Sequence, residues 1–424
     1  LMFLCHGRAP LLFNKLQHGP HPADAPAPNG ETTDGAPATV PPERGNGEWA
    51  EDRPDPTDWS ETTPDAASRT TRTTRAARTS GRRGPAEPPP PPEPDWNNKM
   101  RDVAGLVRYA QGSLERLLNC MKVRLDGPLE DLREAPVLYM AGRTAWEFTD
   151  AEVAKLREYC LRGGLLLGVA DRDSQAFVAG FRALAARMFP EFPLEPVPAN
   201  HPLFNGEVRM VIENPPPLLH VSNGLRTLML LSPQDISEGW HRYQPRSREA
   251  HFGLGVNIYL YATDKTAGGS RLRTPYIPLQ PVSVTREIRV ARVRYEGRWD
   301  PEPYGWQRLA HFMNNETGTR LVVSEQGVAL DQLQPDQYRV AHITGADAFE
   351  LSDAEREGLR RFVTGGGTLI ADATGGSAAF NESLSRHLTE ALRGTAESLG
   401  ERAPLITGQM PDGVSLRGVT YRRT

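Results

Sequence analysis

The chain has 424 residues and a formal net charge of only −4, so its length allows two or three domains of ordinary size. This charge excludes a protein that binds nucleic acid or an anionic membrane through an overall positive field. The chain has three cysteines and no apolar run of the roughly 18 residues that a transmembrane helix needs, so we predict neither a disulfide framework nor a membrane span.

The first 95 residues differ in composition from the rest of the chain. Residues 10–19 (PLLFNKLQHG) are apolar and short, as a β-strand would be. Residues 20–95 are polar and proline-rich, and we predict that they are disordered because they cannot bury enough apolar surface to offset the entropy lost on ordering. Their arginine-rich half would suit an acidic partner or nucleic acid, but the acidic half before it and its lack of aromatic residues favour a solvated tether.

Alternating helical and extended patterns begin at Trp96. Residues 101–119 place their apolar side chains on one helical stripe, and residues 121–126 are a short predicted strand. Residues 135–142 (APVLYMAG) follow as a continuous apolar strand. Apolar strands of this kind between helices are typical of a parallel sheet that is buried on both faces.

A long repeat begins in this strand. Residues 137–177 align with residues 340–380 without a gap, and 16 of the 41 aligned residues are identical. A separation of this length indicates tandem domains rather than a solenoid. The shared signals are a capping box (Thr149 with Glu152, Ser352 with Glu355), a glycine pair that ends the helix (Gly163-Gly164, Gly366-Gly367) and the strand that follows (165–170, 368–373).

The second copy begins with a predicted strand at 287–297, which has no counterpart immediately before Trp96. We therefore predict that residues 11–17 are the first strand of the first domain and that residues 20–95 are a loop inserted after it. The other predicted elements are a helix over 174–188, a hairpin over 218–231 with a type I′ turn at Asn223-Gly224, a helix over 248–262 and a helix over 306–314.

The predicted fold class is α/β, with two tandem doubly wound, flavodoxin-like domains, mostly parallel sheets and a long disordered insert in the first domain. The second domain stops short of the hairpin and the closing helix. The predicted organisation is 1–19 for the first strand, 20–95 for the insert, 96–265 for the remainder of domain one, 266–283 for a linker and 284–424 for domain two.

Several segments resemble the DUF4159 family of bacterial proteins, a domain of unknown function that is placed among the class I glutamine amidotransferase-like folds. The resemblance covers domain one almost completely and domain two to about residue 408. The opening FLCHGRAPLLFNKLQ resembles the junction at which some members carry an upstream α/α-toroid, so we expect this chain to be part of a longer protein. The matching segments are WNNKMRDVAGLVRY, APVLYMAG, FTDAEVAKLREYCLRGGLLLG, DSQAF, ANHPLF and GVNIYLYA.

The resemblance also identifies the position where a nucleophile would lie. Active class I amidotransferases carry a cysteine at the sharp turn after the strand that corresponds to 165–170. This position holds Ala170 here, and Ala373 in the second copy. Because a methyl group cannot attack an amide, the resemblance implies domains without glutaminase chemistry. We predict that Cys160 and Cys120 are core thiols and not substitute nucleophiles.

Polar side chains follow this strand. Ligands of open parallel sheets bind outside the carboxyl ends of the strands, where Asp171, Asp173 and Ser174 lie in sequence. These side chains are candidates for ligand binding or, alternatively, for capping the next helix. Ser377 matches Ser174 in the second copy, whereas neither aspartate has an acidic counterpart, which favours the capping interpretation.

Further candidates lie in other loops. Gly142 ends the preceding strand, and Glu147 follows it as a base, a ligand or a simple surface charge. His201 could shuttle protons or make a structural hydrogen bond. The sequence contains no metal-binding or phosphate-binding motif, so we predict neither a metal nor a cofactor.

These observations favour a non-catalytic binding or scaffolding module that has a small ligand or a protein partner and does not bind nucleic acid. The alternative is a hydrolase or transferase that uses Asp171, Asp173 and His201. The sequence indicates no cellular location, and an exported or membrane-tethered parent protein is consistent with it.

Overall fold

The structure, a computed structural model, describes residues 11–17, 95–205, 210–263, 277–394, 396–410, 413 and 415. They include two α/β domains. The strands of domain one are β1 (Leu11–Gln17), β2 (Asn119–Arg124), β3 (Val137–Gly142), β4 (Leu165–Ala170), β5 (Leu194–Pro196), β6 (Leu219–Ser222) and β7 (Thr227–Ser232). Its helices are α1 (Asp102–Leu114), α2 (Leu129–Arg133), α3 (Asp150–Leu161), α4 (Gln175–Met188), α5 (Pro202–Asn205), α6 (Ser237–His241) and α7 (Glu249–Ala262).

Domain two repeats the first part of this plan. Its strands are β8 (Arg286–Arg294), β9 (Thr319–Val323), β10 (Val328–Ala329), β11 (Val340–Gly345) and β12 (Thr368–Ala373). Its helices are α8 (Tyr304–Thr317), α9 (Asp353–Thr364), α10 (Ala378–Leu392) and α11 (Pro404–Thr407). No helix among the residues described in either domain is long and apolar enough to span a bilayer.

The predicted first strand is present and paired. β1 lies between β2 and β3 and is parallel to both. The parallel strands of domain one follow the order β2-β1-β3-β4-β7, which is the flavodoxin-like order, and the antiparallel strands β6 and β5 extend the sheet beyond β7. Residues 20–94 of the insert predicted after β1 lie outside the described residues. Its last residue, Asp95, begins a short 3-10 helix.

The central strands β3, β4 and β7 of domain one are buried on both faces, as their apolar residues predict. Alternate residues of β3 belong to different cores, because successive side chains of a strand point to opposite faces. Leu138 packs with α3 and α4, whereas Val137 packs with α1 and α7. The helices therefore cover both faces, and the domain is doubly wound.

Domain two keeps the same order in its first four parallel strands, β9-β8-β11-β12, and β10 also pairs with β8. Among the residues that the structure describes, β12 pairs only with β11. In domain one the equivalent strand β4 has β7 on its other side and is buried throughout, whereas β12 is mostly exposed.

Both predicted capping boxes are formed, at Thr149 for α3 and at Ser352 for α9. Both helices then end at a glycine with positive φ, Gly163 and Gly366. Each box contributes roughly 1 kcal/mol to helix stability. The repeat therefore conserves the local signals that position the strand-to-helix turns after β4 and β12.

Two local predictions are wrong in detail. The helix predicted over 101–119 ends at Leu114, because Glu115 adopts a left-handed conformation and turns the chain into β2. The hairpin between β6 and β7 is present, but Gly224 has a positive φ and Asn223 does not, so the turn is not of type I′. The Asn223 side chain instead accepts hydrogen bonds from the amides of Leu225 and Arg226.

The predicted linker is only partly described. Residues 266–276 lie outside the described residues, and residues 277–283 run along α8. Asn315 and Asn314 of α8 hydrogen-bond to the backbone of Pro278 and Gln280. This part of the linker is therefore packed against domain two.

Candidate functional site

Domain one brings several charged side chains to the carboxyl ends of β3, β4 and β7. Asp171, the first residue after β4, is only 1% exposed. Its Oδ2 accepts hydrogen bonds from Arg143 Nε at 2.7 Å and Asn98 Nδ2 at 3.2 Å, and its Oδ1 lies 3.0 Å from Lys99 Nζ. Burial alone raises the pKa of this carboxyl, but Lys99 and Arg143 outweigh it and hold the pKa below its ordinary value.

Lys99 links Asp171 to a second carboxylate. Its ammonium forms a short ion pair with Asp235 and lies 3.1 Å from Ser237 Oγ. Asp235 Oδ2 accepts the Arg172 amide at 2.7 Å, and the Asp235 amide donates to Asp173 Oδ1 at the same distance. The two predicted aspartates are therefore engaged in joining the turn after β4 to the segment after β7.

A second ion pair lies beneath this network, at the switch point between β1 and β3. Lys15 Nζ lies 2.8 Å from both Asp102 oxygens and 2.7 Å from the Lys99 carbonyl oxygen. Tyr139 Oη donates to Asp102 at 2.9 Å. All three side chains are nearly or completely buried, and burial lowers the pKa of Lys15 although Asp102 opposes that shift.

Among the described residues, these ion pairs occupy the crevice at the carboxyl ends of β1, β3 and β4 in domain one. Ala170 is completely buried at the end of β4, with the ordinary extended backbone angles of φ −73° and ψ 105°. Asp171 and Lys99 are ion-paired with each other, so neither is poised as a free acid or base. The arrangement is suited to stabilising the contacts between the strands of the sheet and the loops at their carboxyl ends.

The remaining candidates at this edge have modest roles. Ser174 caps α4 by accepting the Phe177 amide, and its hydroxyl donates to the Arg143 carbonyl at 2.5 Å. Ser377 makes the equivalent contacts before α10, which confirms the capping interpretation. Gly142 ends β3 beside Ala170 and carries no side chain. Glu147 is exposed.

His201 lies at the opposite end of the sheet. It is buried, and its Nε2 is 3.0 Å from the hydroxyl of Thr227, the first residue of β7. Ser232, the last residue of β7, pairs with Val169 beside Asp171. Five residues of strand correspond to roughly 16 Å. The predicted trio of Asp171, Asp173 and His201 is therefore not assembled, and the interpretation of His201 as a structural hydrogen-bonding residue is correct.

The prediction of core thiols is correct for Cys160 and only partly correct for Cys120. Cys160 is fully buried in the core, where burial raises its pKa to about 12. Cys120 lies in β2 and is only partly buried, and burial raises its pKa as well. Thiols with raised pKa values are poor nucleophiles at neutral pH.

The turn after β4 has an unusual backbone. Arg172 and Asp173 both adopt left-handed conformations, with φ values of 52° and 57°. The equivalent residues in domain two, Gly375 and Gly376, have φ values of 62° and 74°. Glycine adopts this conformation without steric cost, whereas other residues pay roughly 1–2 kcal/mol each. The turn after β4 therefore carries backbone strain that the two glycines avoid in the equivalent turn after β12.

Replacing Arg172 with glycine is expected to stabilise the protein by about 0.5–1 kcal/mol. Glycine removes the backbone strain of the folded state, and part of this gain is offset because glycine also raises the entropy of the unfolded chain. Asp173→Gly is the matched control, and it should give no gain because it also removes the acceptor of the Asp235 amide. Urea unfolding of both variants measures the difference. A clear loss of stability in Arg172→Gly would mean that the Arg172 side chain supports the turn.

The equivalent crevice of domain two is open. It forms a cavity of about 580 Å³ at the carboxyl ends of β8, β11 and β12, beside the start of α8. The side chains of Arg292, Trp299, Trp306, His342 and Asp372 line it, together with the turn that contains Gly375 and Gly376. Pockets of 300–1,000 Å³, as an order of magnitude, hold small ligands.

Strand pairing shows why the two crevices differ. Lys15 of β1 pairs with Tyr139 of β3, and Arg292 of β8 pairs with His342 of β11. Tyr139 and His342 are equivalent in the repeat, so Arg292 takes the place of Lys15. Arg292 bonds Asp300 at 2.7 Å beside the cavity, whereas Lys15 is buried and bonds Asp102 at the start of α1.

The histidine in this cavity is held in one tautomer. Trp306 Nε1 donates to His342 Nδ1 at 3.0 Å, so the ring proton of neutral His342 lies on Nε2. Burial lowers the pKa of His342, with Asp372 opposing the shift. His342 therefore offers a hydrogen-bond donor at neutral pH.

Sequence reasoning identified Asp171 and Asp173 in the crevice of domain one, but it missed Lys15, Lys99 and Asp102 and the residues that line the cavity of domain two. A lysine within the apolar strand 11–17 and the charged run Lys99-Met100-Arg101-Asp102 were the available signals for domain one. For domain two the signal was the pair of tryptophans at 299 and 306. Among the residues that the structure describes, no group of three or more His, Cys, Asp or Glu side chains is arranged to hold a metal ion.

Comparison with known proteins identifies the family. The model of a family described as "Domain of unknown function (DUF4159)" matches residues 88–263 and again residues 289–407, which together are more than half of the chain. No curated protein matches the chain. The first match covers the elements of domain one after β1, the second runs from within β8 to the end of α11, and the chain belongs to the DUF4159 family.

Proposed function

We propose that the protein is a non-catalytic binding module and that the crevice of domain two holds its ligand. The observation that carries this proposal is the contrast between the two copies. Within the part of the chain that the structure describes, Lys99 pairs with Asp171 and Asp235 in the crevice of domain one, whereas the equivalent crevice of domain two is a cavity of about 580 Å³.

The residues at the strand ends support a role without chemistry. Ala170 and Ala373 are the last residues of β4 and β12, and a methyl group supplies neither a nucleophile nor a proton. Thr374 follows Ala373, but its hydroxyl lies 2.9 Å from that of Thr344 and has no histidine beside it among the described contacts. Binding is therefore the better supported role for this crevice.

The proposal includes an amidotransferase-like origin for the fold. The strand order β2-β1-β3-β4-β7 and the sharp turn after β4 support this origin. On this view the lost cysteine corresponds to Ala170, and the ion pairs of domain one occupy the space where a substrate would otherwise bind.

Turnover assays test the proposal. The full chain is expected to release no ammonia from L-glutamine, and to hydrolyse neither p-nitrophenyl acetate nor p-nitrophenyl phosphate above the buffer rate. Asp171→Asn and Thr374→Val serve as paired variants. Turnover that disappears in either variant would show that the module is an enzyme.

A further inference from the structure

The cavity of domain two combines aromatic surfaces with neutralised charges. Trp299 and Trp306, both half-buried, line it. Aromatic rings of this kind pack well against ligands that have one apolar face and a polar rim. The ring of Trp299 also lies against the Arg292 guanidinium, at 5.1 Å from its centre, which fixes part of that wall.

The charged residues at the cavity are largely matched. Arg292 pairs with Asp300 at 2.7 Å, and Glu302 pairs with Arg226 at 2.9 Å. With Arg308 and Asp372, the other charged lining residues, the positive and negative charges around the cavity are equal in number. The site therefore has no surplus of either charge with which to neutralise an ionic ligand.

Hydrogen-bonding groups surround the same space. His342 offers a donor through Nε2, the hydroxyls of Thr344 and Thr374 both donate and accept, and Asp372 is an exposed acceptor. A ligand with several hydroxyl groups would satisfy donors and acceptors of both kinds. Charged hydrogen-bonding partners such as Asp372 strengthen these contacts.

We infer that the cavity of domain two binds a neutral sugar of one or two rings. The apolar face of a sugar ring matches Trp299 and Trp306, and its hydroxyls match His342, Thr344 and Asp372. This inference rests on the proposed binding function and names the class of ligand. A phosphate or an organic cation would find no net charge of opposite sign in the same space.

A substitution that fills the cavity without damaging the fold tests the inference. Gly305 lines the cavity at the second position of α8, and a Cβ added there meets no atom within 4 Å. Gly305→Leu therefore places a side chain in open space, and it favours the helix because glycine is a poor helix former. We expect it to preserve or raise the melting temperature while obstructing the cavity.

Gly112→Leu is the matched control. Gly112 lies in α1 of domain one, and a Cβ there also meets no atom within 4 Å. The full chain and both variants are titrated by calorimetry with D-glucose, N-acetyl-D-glucosamine and maltose, and separately with sodium phosphate and tetramethylammonium chloride. At least one sugar is expected to bind the native chain and Gly112→Leu equally, and at least about tenfold more weakly to Gly305→Leu.

A second variant tests hydrogen bonding to the sugar without obstructing the cavity. Asp372 is exposed on β12, and Asp372→Asn keeps its shape while weakening its hydrogen bonds to hydroxyls. It should lower the sugar affinity by about threefold to tenfold and leave the melting temperature unchanged.

The outcomes distinguish this inference from the proposed function. If none of the three sugars binds, or if sugar binding survives in Gly305→Leu, the inferred ligand class is wrong. Phosphate or tetramethylammonium binding that is lost only in Gly305→Leu would also overturn the ligand class, yet would leave the binding function standing. Catalytic turnover in the assays above would overturn the binding function itself.

Discussion

Asp102→Ala is expected to destabilise the protein by about 3–5 kcal/mol, because it leaves the Lys15 ammonium buried without a countercharge. Lys15 is 3% exposed and Asp102 is 1% exposed, so water cannot replace the lost carboxylate without rearrangement. Tyr139 also loses its acceptor. The pair joins β1 to α1, so we also expect β1 to be held less firmly against α1 in the variant.

The double variant Lys15→Met with Asp102→Leu is the control for this prediction. It removes both charges and fills the space with apolar side chains, so most of the lost stability should return. Urea unfolding curves, monitored by circular dichroism, compare the stability of the native chain with that of both variants. A loss below about 1 kcal/mol in Asp102→Ala would mean that Lys15 reaches solvent.

Arg226→Ala is expected to cost about 2–4 kcal/mol. Arg226 is 3% exposed, and its guanidinium donates to the carbonyls of Cys160 and Leu161 at 2.6 and 3.2 Å and to that of Gly164 at 3.4 Å. These carbonyls belong to the end of α3 and the turn into β4, and they would lose their buried donor. The same side chain bonds Glu302 of domain two at 2.9 Å.

Two controls separate these roles of Arg226. Glu302→Gln removes the charge of the ion pair but not the carbonyl contacts, and it should cost below about 1 kcal/mol because Glu302 is partly exposed. Arg162→Ala removes a more exposed arginine that packs on Tyr304, and it should also have a small effect. Thermal unfolding measures all three variants. Equal losses in Arg226→Ala and Glu302→Gln would assign the effect to the ion pair alone.

The repeat made much of the fold predictable. Capping boxes, glycine stops and apolar strands are local signals, and they located α3, β4, α9 and β12 in both copies. The second copy also supplied the template by which residues 11–17 were predicted as a strand, which the structure confirms. The type I′ turn failed because Asn223 is held by a distant contact, its side-chain amide donating to the Pro301 carbonyl at 2.6 Å.

The site was less predictable, because its contacts join residues that are far apart in the chain. Lys15 and Asp102 are separated by 87 residues, and nothing local to either indicates the other. His201 was named with Asp171 and Asp173 as an alternative catalytic set, whereas the structure shows that their loops lie at opposite ends of the sheet. The open crevice of domain two depends on which side chains fill the space, and that is a property of packing rather than of any motif.

The central claim is that one crevice is closed and its copy is open, and matched cysteines test it most directly. Ala170→Cys and Ala373→Cys place a thiol at equivalent positions, in a chain whose Cys5 and Cys120 are changed to serine. Ala170 is completely buried, whereas Ala373 lines the cavity. We expect a water-soluble disulfide reagent to label the thiol at 373 at least about 100-fold faster than the thiol at 170. Equal labelling rates, or faster labelling at 170, would contradict the account.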